Sequence, residues 1–394
     1  MAFLILRFLA DAIAPRKSHG QAAISHFTFT HQINNQFMGY PHFRFYKRQD
    51  ILSLTRLRRF ETKLGECLQT ANDAELSQSL LQSKAAFVLI GIPEDIGVMA
   101  NCGTGGADTA WLPFLKAFCN IQSTDYFTGE ETIALGHFDF SDIKSMILSN
   151  AKNEEELVDA CRHAVANIID TEVEALIKLV TAAGKTPVVI GGGHNNAYPI
   201  IKGTVKGLHK AGKLAAAHLN VINADAHADY RSMEGRHSGN GFRYAKQEGF
   251  LNRYAVIGLQ ENYNNQGMLD ELYNDITIQY STFEDIFIRE KLNFRQAMVQ
   301  AISFTEDRYT GIELDMDSIA QMLSSAAGPS GFTSLQARQY ISLSGSYAKV
   351  AYLHICEGAE QLVNGQTNPL AGKFISELVS DFIKARHNWS EADA

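Results

Sequence analysis

The chain has no Cys-x-x-Cys pair, no apolar run long enough to cross a bilayer and no excess of positive charge. Its five cysteines (Cys67, Cys102, Cys119, Cys161 and Cys356) are scattered and odd in number. That excludes a disulfide framework and a thiolate zinc site, and fits a reducing cytoplasm. A membrane-spanning helix needs about 20 consecutive apolar residues, and no run approaches that. The formal net charge of −8 argues against nucleic acid and anionic membranes as general partners. Arg44, Lys47, Arg48, Arg56, Arg58 and Arg59, interleaved with Phe43, Phe45 and Tyr46, form the one basic aromatic stretch, which reads as a solvated face rather than a nucleic-acid footprint. Met1 to Ala14 is apolar and ends in a signal-peptidase-like Ala12-Ile13-Ala14. Arg7 and Asp11 interrupt it and Pro15 follows, so export is not expected. Internal repeats and low-complexity tracts are also missing.

What is present is a large apolar inventory: 394 residues, 45% of them hydrophobic, enough for one big α/β domain or two ordinary ones. Residues 1–84 read as an N-terminal extension or cap, aromatic-rich to Tyr46 and helix-like from Asp50 to Leu81. From Ala85 strands and helices alternate. Strand-type runs fall at Ala85 to Ile90, Pro187 to Ile190, Leu219 to Ile222, Tyr254 to Gly258, Ile276 to Ser281, Tyr309 to Leu314 and Val350 to Ile355. Helical patterns lie between them. Asn153 caps one, with Glu154, Glu155 and Glu156 in its first turn, Leu157, Cys161, Ala164, Val165, Ile168 and Ile169 on one face, and Gly184 at its end. Others run from Ala197 to His209, from Asn293 to Phe304, from a Thr333 cap to Ser342 and from Ala371 to Arg386. This alternation predicts an α/β fold, a mostly parallel sheet between two helical layers, with residues 85–394 as one catalytic domain.

Three short segments carry six metal-type ligands: His194 after Gly191-Gly192-Gly193; Asp225, His227 and Asp229; and Asp315 with Asp317. Each follows a strand-type run, so all six can gather where parallel strands end, the usual ligand position in open α/β sheets. Spacing at every second residue puts Asp225, His227 and Asp229 on one side of an extended chain, and Asp315 and Asp317 likewise. A lone Asp-x-Asp or a lone histidine after glycines is usually structural, but three such elements at successive strand ends seldom coincide. Four massed carboxylates repel one another unless cations neutralise them. Two imidazoles with four carboxylates suit two manganese ions, with zinc, iron or cobalt as alternatives. The expected protein is a binuclear metallohydrolase.

These segments resemble the signature blocks of the arginase, agmatinase and formimidoylglutamase family, from about Gly91 to about Glu360. Gly91-Ile92-Pro93-Glu94-Asp95-Ile96-Gly97 and Asn101-Cys102-Gly103-Thr104-Gly105-Gly106-Ala107 are similar to the family's opening loops. The resemblance implies an arginase-like three-layer α/β/α fold, with His194 and Asp229 on one manganese, His227 and Asp317 on the other, and Asp225 and Asp315 bridging. It also implies homo-oligomers, trimers or hexamers, and a small amidino or guanidino substrate. Glu357, in His354-Ile355-Cys356-Glu357-Gly358, matches the acid that binds the guanidinium or amidine group. Two departures stand out. Gly193 replaces the Asp that arginases carry beside their first histidine, removing a carboxylate that could orient His194. The block Ser238-Gly239-Asn240-Gly241-Phe242-Arg243 lacks the arginase proton-shuttle histidine and looks more like the formimidoylglutamase block.

In the mechanism so implied, a metal-bound hydroxide attacks the amidine carbon while Glu357 pairs with the cationic head. Asp229 carries a proton to the departing amine. His237 is a candidate shuttle or an ordinary loop histidine. Ser238, Asn240 and Arg243 are candidate substrate contacts, with a surface salt bridge as the plain alternative for Arg243. The leading substrate is N-formimidoyl-L-glutamate, giving L-glutamate and formamide, and arginase or agmatinase activity is the nearest alternative. A non-catalytic binding protein is disfavoured because all six ligands are kept. A zinc deacetylase needs fewer acids than are present.

Overall fold

The computed structural model describes residues 39–347 and 349–392, with side chains described as far as Arg386. The apolar opening stretch to Ala14 lies outside the described residues. These form a nine-stranded sheet: β1 (Phe43–Phe45), β2 (Phe87–Gly91), β3 (Thr132–Phe138), β4 (Thr186–Ile190), β5 (Leu219–Ala224), β6 (Leu251–Leu259), β7 (Ile278–Thr282), β8 (Thr310–Asp315) and β9 (Val350–Cys356). The spatial order is β1-β3-β2-β4-β9-β8-β5-β6-β7. Every pairing is parallel except β1 with β3.

The central strands are runs of apolar residues because both of their faces are covered, as parallel sheets require. Alternate residues feed opposite layers. Val189, Val221 and Tyr254 join one core with Val173, Leu176, Ile177, Ile200, Ile201 and Val205. Val188, Ile190, Ile222 and Ala255 join the other with Phe114, Phe118, Leu378, Val379 and Phe382. The helices that matter here are α1 (Trp111–Cys119), α2 (Glu154–Ala164), α3 (Asp170–Ala182), α4 (Ala197–Lys210), α5 (Gly241–Gln247), α6 (Phe294–Thr305), α7 (Ser334–Gly345) and α8 (Ala371–Ala392). The architecture is the expected three-layer α/β/α sandwich.

Local signals set the boundaries. Asn153 Oδ1 accepts from the Glu156 amide at 2.9 Å and caps α2, which runs through one π turn, Val165–Ile169, into α3. Gly184 takes φ +77° just beyond the end of α3. Asn293 and Thr333 cap α6 and α7 in the same way. The helix-like stretch from Asp50 to Leu81 is broken into three short helices, Arg48–Leu54, Leu64–Cys67 and Leu76–Gln82. Two strands had no clear signal, β3, interrupted by Gly136, and the three-residue β1. In the basic stretch the cations lie on the surface, but Phe43 is buried against Phe138, with ring centroids 4.9 Å apart. Arg48 donates to the carbonyls of Gly65 and Leu68, closing the end of a short helix. No helix among the described residues is long and apolar enough to cross a membrane.

The order β4-β9-β8-β5 puts four strand ends side by side. His194 follows β4, Glu357 follows β9, Asp315 closes β8 with Asp317 just beyond it, and Asp225, His227 and Asp229 follow β5.

Candidate metal centre

The turn after β4 is shaped by its glycines and by one buried acid. Gly191 and Gly192 have φ of +90° and +81°, and a Cβ on Gly192 would lie 2.6 Å from the Ile92 carbonyl. Only glycine passes there without strain. Glu94 Oε1 accepts from Gly193 N at 3.2 Å, Asn195 Nδ2 at 3.1 Å and Asn196 Nδ2 at 2.6 Å, and Oε2 accepts from Gly97 N at 3.0 Å. Burial pushes this carboxyl above its ordinary range. Glu94 thereby ties the loop after β2 to the turn that presents His194.

The six expected ligands are brought together. His194 Nδ1 lies 2.7 Å from Asp229 Oδ2 and 3.2 Å from both Asp225 Oδ2 and Asp315 Oδ2. His227 Nδ1 lies 3.1 Å from Asp317 Oδ2 and 3.6 Å from Asp225 Oδ1. Two groups with ligand geometry result, His194 with Asp225, Asp229 and Asp315, and Asp225 with His227 and Asp317. Asp225 belongs to both. Despite this crowding, neither ring nitrogen of His194 makes a hydrogen bond, nor does Asp317 Oδ1. Buried polar atoms converging on common points without bonding one another are what a cation site requires, and the donor set is hard to borderline.

The electrostatics agree. Burial, reinforced by Asp317 and Asp225, holds the Asp315 carboxyl well above its usual range. Burial and Asp225 raise Asp229 to about 6. Burial alone would raise Asp225 too, but His194 and His227 outweigh it and bring this carboxyl down to about 2. For both histidines burial opposes charging; Cys356 with Asp229 and Asp225 at His194, and Asp317 with Asp225 at His227, overcome it, lifting them well above the ordinary imidazole value. Alone, the cluster shares protons to limit its own repulsion; bound cations would do the same work.

The ligands open into a cavity of about 240 Å3, with Asn101, Arg231, Ser238, Tyr263, Ser325 and Glu357 in its wall. Glu357 Oε1 accepts from the His194 amide at 2.9 Å, and Ser325 Oγ donates to Oε2 at 3.4 Å. Burial, helped by Asp317 and Asp229, raises Glu357 to about 8. Glu357 and Asp229 both have positive φ, +60° and +45°, strained backbone of the kind that gathers at functional sites.

The other candidates are placed differently. Ser238 lines the cavity, but Asn240 and His237 do not. Asn240 Oδ1 accepts from Arg236 at 2.8 Å and its Nδ2 donates to the Gly235 carbonyl at 2.7 Å. His237 is buried, and its Nδ1 accepts from the Gly239 amide at 3.1 Å. Burial, then Arg231 and Arg162, push it down to about 4, so it is neutral at pH 7. Arg243 donates to the Tyr230 carbonyl at 2.9 Å and to Glu271 at 2.5 Å. It lines an adjoining cavity of about 410 Å3 that shares Arg231, Tyr263 and Met268 with the first.

Sequence reasoning did not pick out Arg231, Tyr263 or Ser325, and it placed Glu94 and Asn101 in the opening-loop blocks without giving either a role. Arg231 continues the every-second spacing from Asp229, a usable signal. Tyr263, whose ring stacks on His227 with centroids 5.5 Å apart, comes from a distant loop and left none. Arg236 was missed too. Nearly fully buried, it donates to Asp170 at 2.8 Å and to the Asn195 carbonyl at 2.7 Å, between the rings of Tyr198 and Tyr244. It pins the 231–240 loop to the His194 turn. Arg236→Met leaves Asp170 buried without its cation and is expected to cost about 3 to 5 kcal/mol. Chemical denaturation of the two proteins measures it.

The sequence model of the arginase family matches residues 85–380. The chain belongs to the arginase family. It is accordingly a metal-dependent hydrolase acting on C–N bonds. Among relatives, formimidoylglutamase of Streptococcus pyogenes serotype M3 is 27% identical over 316 residues, covering 77% of this chain and 86% of that protein. Among solved structures, formimidoylglutamase from Bacillus subtilis aligns with a TM-score of 0.64 at 18% identity, covering 85% of this chain and 95% of that one. Trypanosoma cruzi formiminoglutamase with Mn2+ aligns at 0.62 and 20%, covering 82% and 98%. At these identities the structures establish the shared fold; the buried His/Asp cluster of this chain lies at the ends of β4, β5 and β8.

Proposed function

We propose that this family member hydrolyses N-formimidoyl-L-glutamate to L-glutamate and formamide, using two manganese ions per subunit. His194 and Asp229 would hold one ion and His227 and Asp317 the other, with Asp225 and Asp315 as further ligands between them. When bound, the pair lowers the pKa of a water so that hydroxide is available near neutral pH. Residues 85–394 form the catalytic domain, and 1–84 an N-terminal extension that, from Phe43 on, adds an edge strand to its sheet and side chains to its cores. A cytoplasmic homo-oligomer, trimer or hexamer, completes the proposal on the strength of the family resemblance.

The observation that carries it is Glu357, an acid facing the ligand groups across one small cavity and paired with no lysine or arginine among the described residues. A cationic formimidoyl head fits there, and a charge-assisted contact sets its carbon against the ligands. Asp229, in the cavity wall beside His194, takes the proton of the attacking hydroxyl and delivers it to the departing amine. N-formimidoyl-L-glutamate also bears two carboxylates. Arg231, in the wall common to both cavities, meets one, and Arg243 beyond it meets the other. Ser238 contributes a hydroxyl to the same wall.

The deciding experiment incubates the manganese-loaded protein with N-formimidoyl-L-glutamate, L-arginine or agmatine and assays formamide and urea. Formamide from the first alone supports the proposal; urea alone overturns it, and no product from any favours a binding role. Within this scheme Arg231→Met raises KM for N-formimidoyl-L-glutamate about 10- to 100-fold with a smaller change in kcat. A lost charged hydrogen bond is worth about 1.5 to 3 kcal/mol, felt equally by ground and transition states.

A further inference from the structure

A coordinating histidine works well only when its second nitrogen is also held, because that fixes the tautomer and the ring plane. His194 presents Nδ1 to the three aspartates, so Nε2 must carry the ring proton. The Asp that arginases place beside this histidine is absent here. Gly193 stands in its position, and a Cβ there would lie 2.5 Å from Asn195 Oδ1.

On the far side of the ring stands another carboxylate. Glu313, on β8, is fully buried, with Oε2 3.5 Å from His194 Nε2. Its orientation is fixed from three directions. His354 Nδ1 donates to Oε2 at 2.6 Å and the Tyr352 hydroxyl donates to Oε1 at 2.7 Å. The Tyr340 hydroxyl donates to the Glu313 carbonyl at 2.8 Å. Glu313 and His354 are direct cross-strand partners on β8 and β9. Tyr352 reaches the acid only because residue 311 is glycine, where a Cβ would lie 2.3 Å from the tyrosine ring. Cys356 and His354 are the other polar groups near His194; the thiol donates to the Leu314 carbonyl at 3.7 Å. Beside Nε2 the Glu313 carboxylate is the charged oxygen acceptor, whereas a thiol sulfur accepts only weakly. A buried acid held by two donors, with no lysine or arginine against it among the described residues, is costly unless it has a task.

We propose that Glu313, braced by His354 and Tyr352, is the positioning residue for His194. It accepts the hydrogen bond of Nε2–H and so replaces, from β8 on the far side of β9, the carboxylate lost at Gly193. This rests on the binuclear reading of the site. It predicts a defect confined to one ion: weakening the hold on His194 loosens the ion shared by His194 and Asp229, while the ion on His227 and Asp317 keeps its ligands undisturbed.

The test titrates Mn2+ into the metal-free wild type, Glu313→Gln and Tyr352→Phe, by calorimetry with elemental analysis and electron paramagnetic resonance. The wild type should take two ions. Glu313→Gln should lose about 10- to 100-fold in affinity at one site only, so that at limiting manganese the signal of a coupled pair gives way to that of an isolated ion. Tyr352→Phe, which keeps the carboxylate and removes one brace, should show a smaller loss at the same site, and it carries the test if Glu313→Gln does not fold. Two unchanged sites, or equal weakening of both together with a lower melting temperature, overturn the proposal. A wild type that binds fewer than two ions defeats the binuclear reading itself.

Discussion

Asp315→Asn will abolish most of the activity while leaving the metal-free protein at least as stable as the wild type. Asp315 is fully enclosed beside Asp317 and Asp225, and burial with these two neighbours holds its carboxyl well above the usual range. A carboxyl raised in the folded state contributes its stability below its ordinary pKa and loses it as pH rises through the folded value. In the metal-free wild type, stability therefore declines from mildly acidic pH upward. An asparagine, neutral throughout, removes that decline. Its oxygen still accepts the Asp317 amide, now bonded to Asp315 Oδ1 at 2.8 Å. Manganese reverses the ranking, because a ligand that binds only the folded state adds RT ln(1 + [L]/Kd), and the variant has lost one carboxylate of the candidate His194 group. Catalysis suffers more. An aligned ion pair supplies several kcal/mol of transition-state stabilisation, so kcat/KM should fall about a thousandfold or more. Scanning calorimetry at pH 5 and pH 8, with manganese and with chelator, beside formamide release, gives all four numbers. A metal-free variant that melts well below the wild type, or one that retains the full manganese response, contradicts this account.

The ligand set was legible because its signal is local. Strands buried on both faces show up as apolar runs, and an extended chain converts every-second spacing into a shared side. Asp225, His227 and Asp229 needed nothing more. The arrangement of strands was harder. β1 is too short for a period, and β3 carries Gly136 at φ +151° where the alternation should run. Side-chain direction was harder again. His237 and Asn240 sit in a block next to the site, yet His237 Nδ1 and the Asn240 amide are spent on the turn that delivers Ser238. Arg243 points into the neighbouring cavity. Glu313 and His354 are 41 positions apart, and nothing pairs them until the sheet order sets β8 beside β9. Tyr263 and Ser325 depend on loop paths that no periodicity encodes. Chemistry carried by one segment could be read directly, whereas chemistry assembled across segments waited for the topology.

Glu357→Gln separates substrate recognition from metal binding. The glutamine keeps an oxygen for the His194 amide, which Glu357 Oε1 now accepts at 2.9 Å, so the turn that presents His194 should hold and the manganese content should stay at the wild-type level. What disappears is the charge. At an acid as buried as Glu357, a charge-assisted contact to a cationic head contributes about 3 to 4 kcal/mol, roughly 100- to 1000-fold in kcat/KM. Because the same contact sets the reacting carbon against the nucleophile, kcat should fall as well as KM rise. Proton uptake offers a second readout. Burial raises the free carboxyl to about 8, so the metal-free wild type must shed a proton from Glu357 as pH climbs through that region, and the glutamine variant must not. The decisive result is the pairing of full metal content with a collapsed kcat/KM. If activity stays within about threefold of the wild type, Glu357 does not bind the cationic head, and the amidine assignment loses its main support in the site.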